Sequence, residues 1–416
     1  MTEADCRPAT ADADPSGIPF TDLDPTLLRE QRTSLKWTRF PADVLPLFVA
    51  EMDFAVAPEI RRAIIERVEA SDTGYLEGPG PLAPAFAGYA HDSWGWKIPH
   101  EWIYLATDVA TGVVESLRLG WSRRQSAAAA GGRAASGRIA ITTPVYPGFF
   151  EMLEEVPYEI VEIPLVEGAA AGLDLVAIEA SFVAGIDAFL LCNPHNPHGI
   201  VFSEVELAEL ARLAAAYDVF VVSDEIHAPL AHAGAKFVPF APLAAAAGAL
   251  AVVATSASKG WNLAGAKCSV IVAADERAND LLQGLPPETV TRASILGLHA
   301  GVAAFTESRE WLARAIAQIE ANSQLLAELV TNHLPGVQLT RPRAGYLAWL
   351  DFRDAGLGAD PHAKILKEAR VALNNGADFG LGGAGHVRLN LACSPETIRA
   401  AVARIAAILP TAKVTR

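Results

Sequence analysis

The sequence predicts an α/β protein: a parallel sheet flanked by helices, joined to a smaller α+β unit. Three observations carry this. From about residue 100 to 275, apolar strand-like runs alternate with amphipathic helical runs, the pattern of a parallel sheet whose crossovers are helices. Beyond about residue 300 the texture changes to one long helical stretch followed by short mixed elements. The 416 residues are 51% hydrophobic and 19% charged, a balance that excludes bulk disorder and supplies a large core.

Taken in order, Met1 to Ser16 carries Glu3, Asp5, Asp12 and Asp14 and no apolar centre. It lacks the features of a secretory leader and reads as a disordered tail over residues 1–17. The expected strands of the sheet are Ile139 to Thr143, Ile160 to Pro164, Ala188 to Cys192, Val219 to Val222, Ala251 to Ala254 and Ser269 to Ala273. Ser203 and Glu206 form a capping box, and Leu207, Leu210, Ala211, Leu213 and Ala214 share the face of the helix that follows. Ser122 to Arg138, rich in Ser, Ala, Gly and Arg, reads as an exposed loop with solvated basic residues. A helix over Glu310 to Val330, strands over Tyr346 to Phe352 and His386 to Leu391, and a final helix from Pro395 to Leu409 complete the chain. The expected division is a large domain over 61–300 and a small domain from 18–60 and 301–416.

Composition also limits function. Lys and Arg number 33 against 48 Asp and Glu, a formal charge of −15, which repels nucleic-acid backbones and anionic lipid surfaces. The longest apolar stretch, about Phe240 to Ala254, is broken by Pro242 and Gly248, short of the ~18 unbroken residues that a membrane span needs. Cys6, Cys192, Cys268 and Cys393 are widely spaced and suggest neither a disulfide framework nor a zinc site. His195 and His198 have no ligand-spaced acid or cysteine nearby, so no metal is expected. The expected compartment is the cytoplasm.

The chemistry sits where strands end. Pro144-Val-Tyr146-Pro147-Gly148, Asn193-Pro-His-Asn196-Pro197-His198-Gly199, Ser223-Asp224-Glu225-Ile226-His227 and Thr255-Ser256-Ala257-Ser258-Lys259-Gly260 each follow a predicted strand. Ligands of open α/β sheets bind at the carboxyl ends of strands, so these groups meet in one crevice. Together they suit pyridoxal phosphate: a lysine for a Schiff base, a carboxylate to keep a pyridine nitrogen protonated, and hydroxyls, helix-start amides and a cation for a phosphate.

Ser256-x-Ser258-Lys259, Ser223 to His227 and Asn193-Pro-His-Asn196-Pro197-x-Gly199 resemble the fold-type I pyridoxal-phosphate enzymes, the aminotransferase-like family. Lys36-Trp37, then Pro46 to Phe54, then Gly74-Tyr75-x-x-Gly78 resemble its cystathionine β-lyase or carbon–sulfur lyase branch. The resemblance runs from about Thr33 to Ala392. It implies a mostly parallel seven-stranded sheet and a homodimer with shared active sites. It further implies that Lys259 is the Schiff-base lysine and acid/base, that Asp224 pairs with the ring nitrogen, and that Asn196, with His227 nearby, serves the phenolic oxygen. Tyr146 would stack on the ring. Ser256, Ser258, Lys267 and the backbone at Val109, Ala110 and Thr111 would hold the phosphate, with Tyr75 supplied by the neighbouring subunit and counted, with Lys259, among the catalytic residues. Arg388 would grip the substrate α-carboxylate.

The implied reaction is α,β-elimination from cystathionine or an S-substituted cysteine, releasing a thiol, pyruvate and ammonia. The alternative is an aminotransferase on the same scaffold. Phe48, Glu51 and His198 depart from the family pattern, and His198 is expected near the cofactor, where it would affect substrate range. Gly380 to Gly385 spells a dinucleotide-binding GxGxxG, but a strand rather than a helix is expected after it. Ser256-x-x-Lys259 spells a serine-hydrolase nucleophile motif without its partner motifs.

Overall fold

The computed structural model describes residues 24–410 apart from 167, 169 and 170, so the expected tail over 1–17 lies outside the described residues. In chain order the strands are β1 (Leu45–Pro46), β2 (Ile103–Ala106), β3 (Arg138–Thr143), β4 (Glu159–Pro164), β5 (Ala188–Cys192), β6 (Phe220–Asp224) and β7 (Ala251–Thr255). They continue with β8 (Ser269–Ala273), β9 (Gln338–Thr340), β10 (Leu347–Asp351), β11 (Val371–Ala372), β12 (Asn374–Asn375) and β13 (His386–Asn390).

Seven of these form the central sheet in the order β2-β8-β7-β6-β5-β3-β4. β3 runs parallel to β4 and β5, β5 to β6 and β6 to β7, while β8 is antiparallel to both its neighbours. Every residue of β5, β6, β7 and β8 is buried, as in a sheet covered by helices on both faces. β2 was not among the strands expected from sequence; at four residues it is too short for its pattern to stand out. The strand expected at Val219 to Val222 extends to Asp224, so Asp224 ends the strand instead of following it.

The loop expected over Ser122 to Arg138 is a correction. A helix spans Val109–Ala129 and a loop covers only what remains before β3. The run Ala127 to Ala130 has the highest helix propensity available, which the polar composition of the segment masked. Nor are its basic residues simply solvated. Arg124 is buried and bonds Asp218 at 2.7 Å, and Arg133 reaches the buried Asp187 at 2.9 Å.

The smaller sheet is antiparallel, ordered β12-β13-β10-β9. The helix Arg309–His333 buries Ile319, Leu326 and Val330 in the main core cluster. β1 pairs in parallel with β11, Leu45 opposite Val371, which ties the N-terminal segment to the C-terminal part. Gly380 to Gly385 forms turns leading into β13, and no helix starts there to receive a pyrophosphate. Among the described residues no helix is long and apolar enough to cross a membrane.

Candidate active site

A cavity of about 530 Å³ opens at the carboxyl ends of β5, β6 and β7 and is closed from the other side by Phe48, Val49, Ala50, Asn374 and Arg388. Of the residues expected from sequence, Val109, Ala110, Tyr146, Asn196, Asp224, His227, Ser256, Ser258, Lys259, Lys267 and Arg388 line it. Thr111, His198 and Tyr75 do not.

Asp224 terminates β6, 6% exposed, with Oδ1 accepting from the Ile226 N–H at 3.1 Å. Oδ2 accepts no hydrogen bond among the described residues. Burial pushes this carboxyl up to about 7, against the pull of the Ile226 amide and of Lys259, so an additional cation is what would hold it ionised. Lys259 follows β7 on a short helix capped by Ser256. Its ammonium donates to the Ala50 carbonyl at 3.0 Å, and burial with the nearby Arg388 lowers it to about 8. That places its free amine within reach of neutral pH.

Arg388 lies on β13, 3% exposed. It donates to Asn196 Oδ1 at 2.9 Å, to Asn374 Oδ1 at 2.6 Å and to the Phe48 carbonyl at 3.3 Å, and its guanidinium stands 5.2 Å from the Phe379 ring centre. Because arginine only donates, the Asn196 oxygen must face it, which leaves Nδ2 as that side chain's donor. Burial lowers Arg388 to about 10, so it stays charged at neutral pH. His227 is held neutral, lowered by burial to about 3, with Nδ1 unpartnered. The Tyr146 ring packs edge-on against Phe149, and a Cβ at Gly148 would overlap it.

Several of the expected phosphate-binding groups already have hydrogen-bond partners within the chain. The helix starts at Val109 with Asp108 as its N-cap, and the Thr111 N–H and hydroxyl both bond Asp108 Oδ1, at 2.9 and 2.8 Å. Thr111 is therefore occupied by the cap, while Val109 and Ala110 remain as amides at a helix start. The Ser256 hydroxyl is likewise committed, donating to the Cys268 carbonyl and accepting from the Ser258 N–H. Among the described residues the Ser258 hydroxyl has no such commitment. Lys267 is paired with Asp108 at 2.7 Å. Burial works to raise Asp108, but Lys267 and the Thr111 bonds outweigh it and hold the carboxyl below its ordinary value. His198 packs against Trp349 and His195, away from the cavity, because the turn after Pro197 aims it at the smaller sheet. Tyr75 is 93% exposed.

These residues fit pyridoxal phosphate. A buried carboxylate with an open oxygen, a lysine near neutral pKa, an aromatic face and a helix start share one cavity of suitable size. The aminotransferase class I and II family model matches residues 122–405. The chain belongs to the class I and II aminotransferase family, whose enzymes depend on pyridoxal phosphate. Within this family it is 35% identical to the cystathionine β-lyase of Corynebacterium glutamicum, over 91% of this chain and 98% of that one. It is 32% identical to the cystathionine β-lyase PatB of Bacillus subtilis, over 92% and 98%. The PLP-bound C–S lyase of Staphylococcus hominis superposes with a TM-score of 0.79 at 25% identity, covering 89% of this chain and 92% of that one. Among the described residues no group of three or more His, Cys, Asp or Glu is placed to hold a metal.

Sequence reading missed several residues of this family site. Asp108 had a signal, an Asp three residues before Thr111 at a helix start. Ala50 stands in the Pro46 to Phe54 run that resembles the lyase branch, but nothing there marked its carbonyl as a contact; Asn374 and Tyr346 had no signal, since they reach the site only through β12 and the bend before β10.

Proposed function

We propose that this protein is a pyridoxal-phosphate-dependent carbon–sulfur β-lyase, cleaving cystathionine or S-substituted L-cysteine to a thiol, pyruvate and ammonia. The observation that carries the reading is the meeting of Lys259, Asp224 and Arg388 in one cavity, alongside relatives named for this activity at up to 98% coverage of their length. When bound, the cofactor supplies an electrophilic aldehyde carbon and a ring that stores an electron pair. Arg388 binds the α-carboxylate as a fork, pre-aimed by Asn196 and Asn374. Lys259, lowered to about 8, would serve as the base that takes the α-proton. Asp224 would hold the proton on the ring nitrogen, and Asn196, with its oxygen turned to Arg388, would donate through Nδ2 to the phenolic oxygen. The Cβ–S bond then breaks, sulfur leaves with the bonding pair and takes a proton, and water supplies the keto oxygen of pyruvate as ammonia departs.

Val109, Ala110, Ser258 and Lys267 are the proposed phosphate contacts, with Ser256 shaping that end as a cap. Tyr75, exposed in one protomer, is proposed to complete the site of a second copy in a cytoplasmic homodimer. The test is to give cystathionine to the holoenzyme without any keto acid and assay pyruvate and thiol, on a preparation that sediments at twice the 43.9 kDa chain mass. Release of both products is expected. Turnover only when a keto acid is added would make it an aminotransferase instead.

A further inference from the structure

Residues 48–54 form no regular element beyond bends, yet side chains bind every carbonyl along them. Arg388 holds Phe48, Asn390 holds Val49 and Glu51, Lys36 also holds Glu51, Asn262 and Arg32 hold Met52, and Arg32 holds Asp53 and Phe54. Lys36 is itself locked in a buried ion pair with Asp53, 2.5 Å apart and both at most 2% exposed. The Ala50 carbonyl, in the middle, accepts from two groups at once: Lys259 Nζ at 3.0 Å and the Tyr346 hydroxyl at 2.9 Å. A carbonyl has two lone pairs, so both bonds can exist together. Tyr346 is 1% exposed, packed edge-on against His227. Burial pushes its hydroxyl well above the usual tyrosine range, so it is a permanent donor.

We infer that Tyr346 is a positioning residue for Lys259, acting through the Ala50 carbonyl that it fixes as the docking point of the free lysine amine. This rests on Lys259 being the cofactor-bearing lysine. The amine must alternate between a cofactor-bound place and a released one, and a released amine in a buried site needs an acceptor. Among the described residues, the acceptor that the structure gives it is the Ala50 oxygen, on a segment tied down on both sides. Tyr346 also limits how strongly that oxygen can hold an ammonium, since the carbonyl is shared. The other charges acting on Lys259 are Arg388, which disfavours its charged form, and Asp224 and Glu51, which favour it.

The experiment uses full-length protein stripped of cofactor and follows the rate of pyridoxal phosphate capture by visible absorbance from pH 6 to 10. Borohydride reduction and peptide mapping of the wild type come first; label on a residue other than Lys259 would sink the site assignment, not the Tyr346 argument alone. Capture by the wild type should rise with a midpoint of about 8. In Tyr346→Phe the ring and its packing remain, Ala50 answers only to Lys259, and the midpoint should move up by about half a pH unit. In the same variant kcat should fall about fivefold at unchanged KM, with a larger isotope effect from α-deuterated substrate, as for loss of one ordinary hydrogen bond. Replacement of Tyr346 by para-aminophenylalanine restores a donor and should restore both values. A wild-type midpoint and isotope effect in Tyr346→Phe overturn the inference. So does a para-aminophenylalanine variant that behaves like Phe, because packing alone would then explain the loss.

Discussion

At residue scale, the site works by arranging groups that would be unstable without a ligand. Asp224 is a buried acid with one hydrogen bond, raised by burial to about 7. In the proposed role of Asp224, a protonated ring nitrogen would supply the missing cation, and ligand and protein would stabilise each other's charge. Asp224→Asn keeps the shape and removes the charge. Cofactor should still bind, while turnover should fall ~10²–10⁴-fold, the range for loss of a group that manages a proton; activity near wild type would remove Asp224 from its proposed role. Legibility at this scale followed chain proximity. Lys259, Asp224 and Asn196 stand in compact motifs at strand ends, whereas Tyr346 reaches Ala50 across 296 positions of chain, which no local pattern encodes.

At element scale, the parallel strands deliver their last residues to one edge, and the turns that follow aim them. The Tyr146 turn shows how little room this leaves. A methyl group at Gly148 would overlap the Tyr146 ring, and the side chain will yield before the backbone does. Gly148→Ala should therefore fold normally and displace the ring from the cavity wall. Cofactor affinity should weaken about 2- to 13-fold, matching ~0.5–1.5 kcal/mol for one aromatic stacking contact, as read by equilibrium titration of absorbance. Unchanged affinity would mean that Tyr146 does not stack. The element that sequence misjudged is the helix from Val109: its polar C-terminal half looked like loop, yet Arg124 is drawn inside by Asp218 and Asp187. A pairing partner 94 residues away decides whether such an arginine is solvated.

At the scale of the whole molecule, buried ionisable groups make stability depend on pH and on the cofactor. His195, His227 and His198 are lowered by burial to about 3, 3 and 4. The unfolded chain binds their protons more readily, so stability rises with pH until these histidines are neutral in both states, near 6.5. Asp224 and Glu225 are raised by burial to about 7 and about 8. Their folded forms keep protons that the unfolded chain has released, so they cost stability as pH climbs towards those values. Lys259, lowered to about 8, adds stability only above that. The protein without cofactor should therefore lose thermal stability from about pH 6.5 to 8, and loading should flatten the fall by stabilising ionised Asp224. Equal slopes with and without cofactor would contradict that pairing. The sequence by itself determined the alternating α/β pattern, the strand-end clusters and, through their combination, the family and its cofactor, because strand period, helix caps and turn residues are local physics. Only the tertiary structure decided which of the hydroxyls and amides near the helix from Val109 already have partners within the chain, that His198 turns away, and that the segment 48–54 is held carbonyl by carbonyl against Lys259 and Arg388. Those outcomes depend on burial and on partners far along the chain, and neither exists until the two ends of the molecule have packed together.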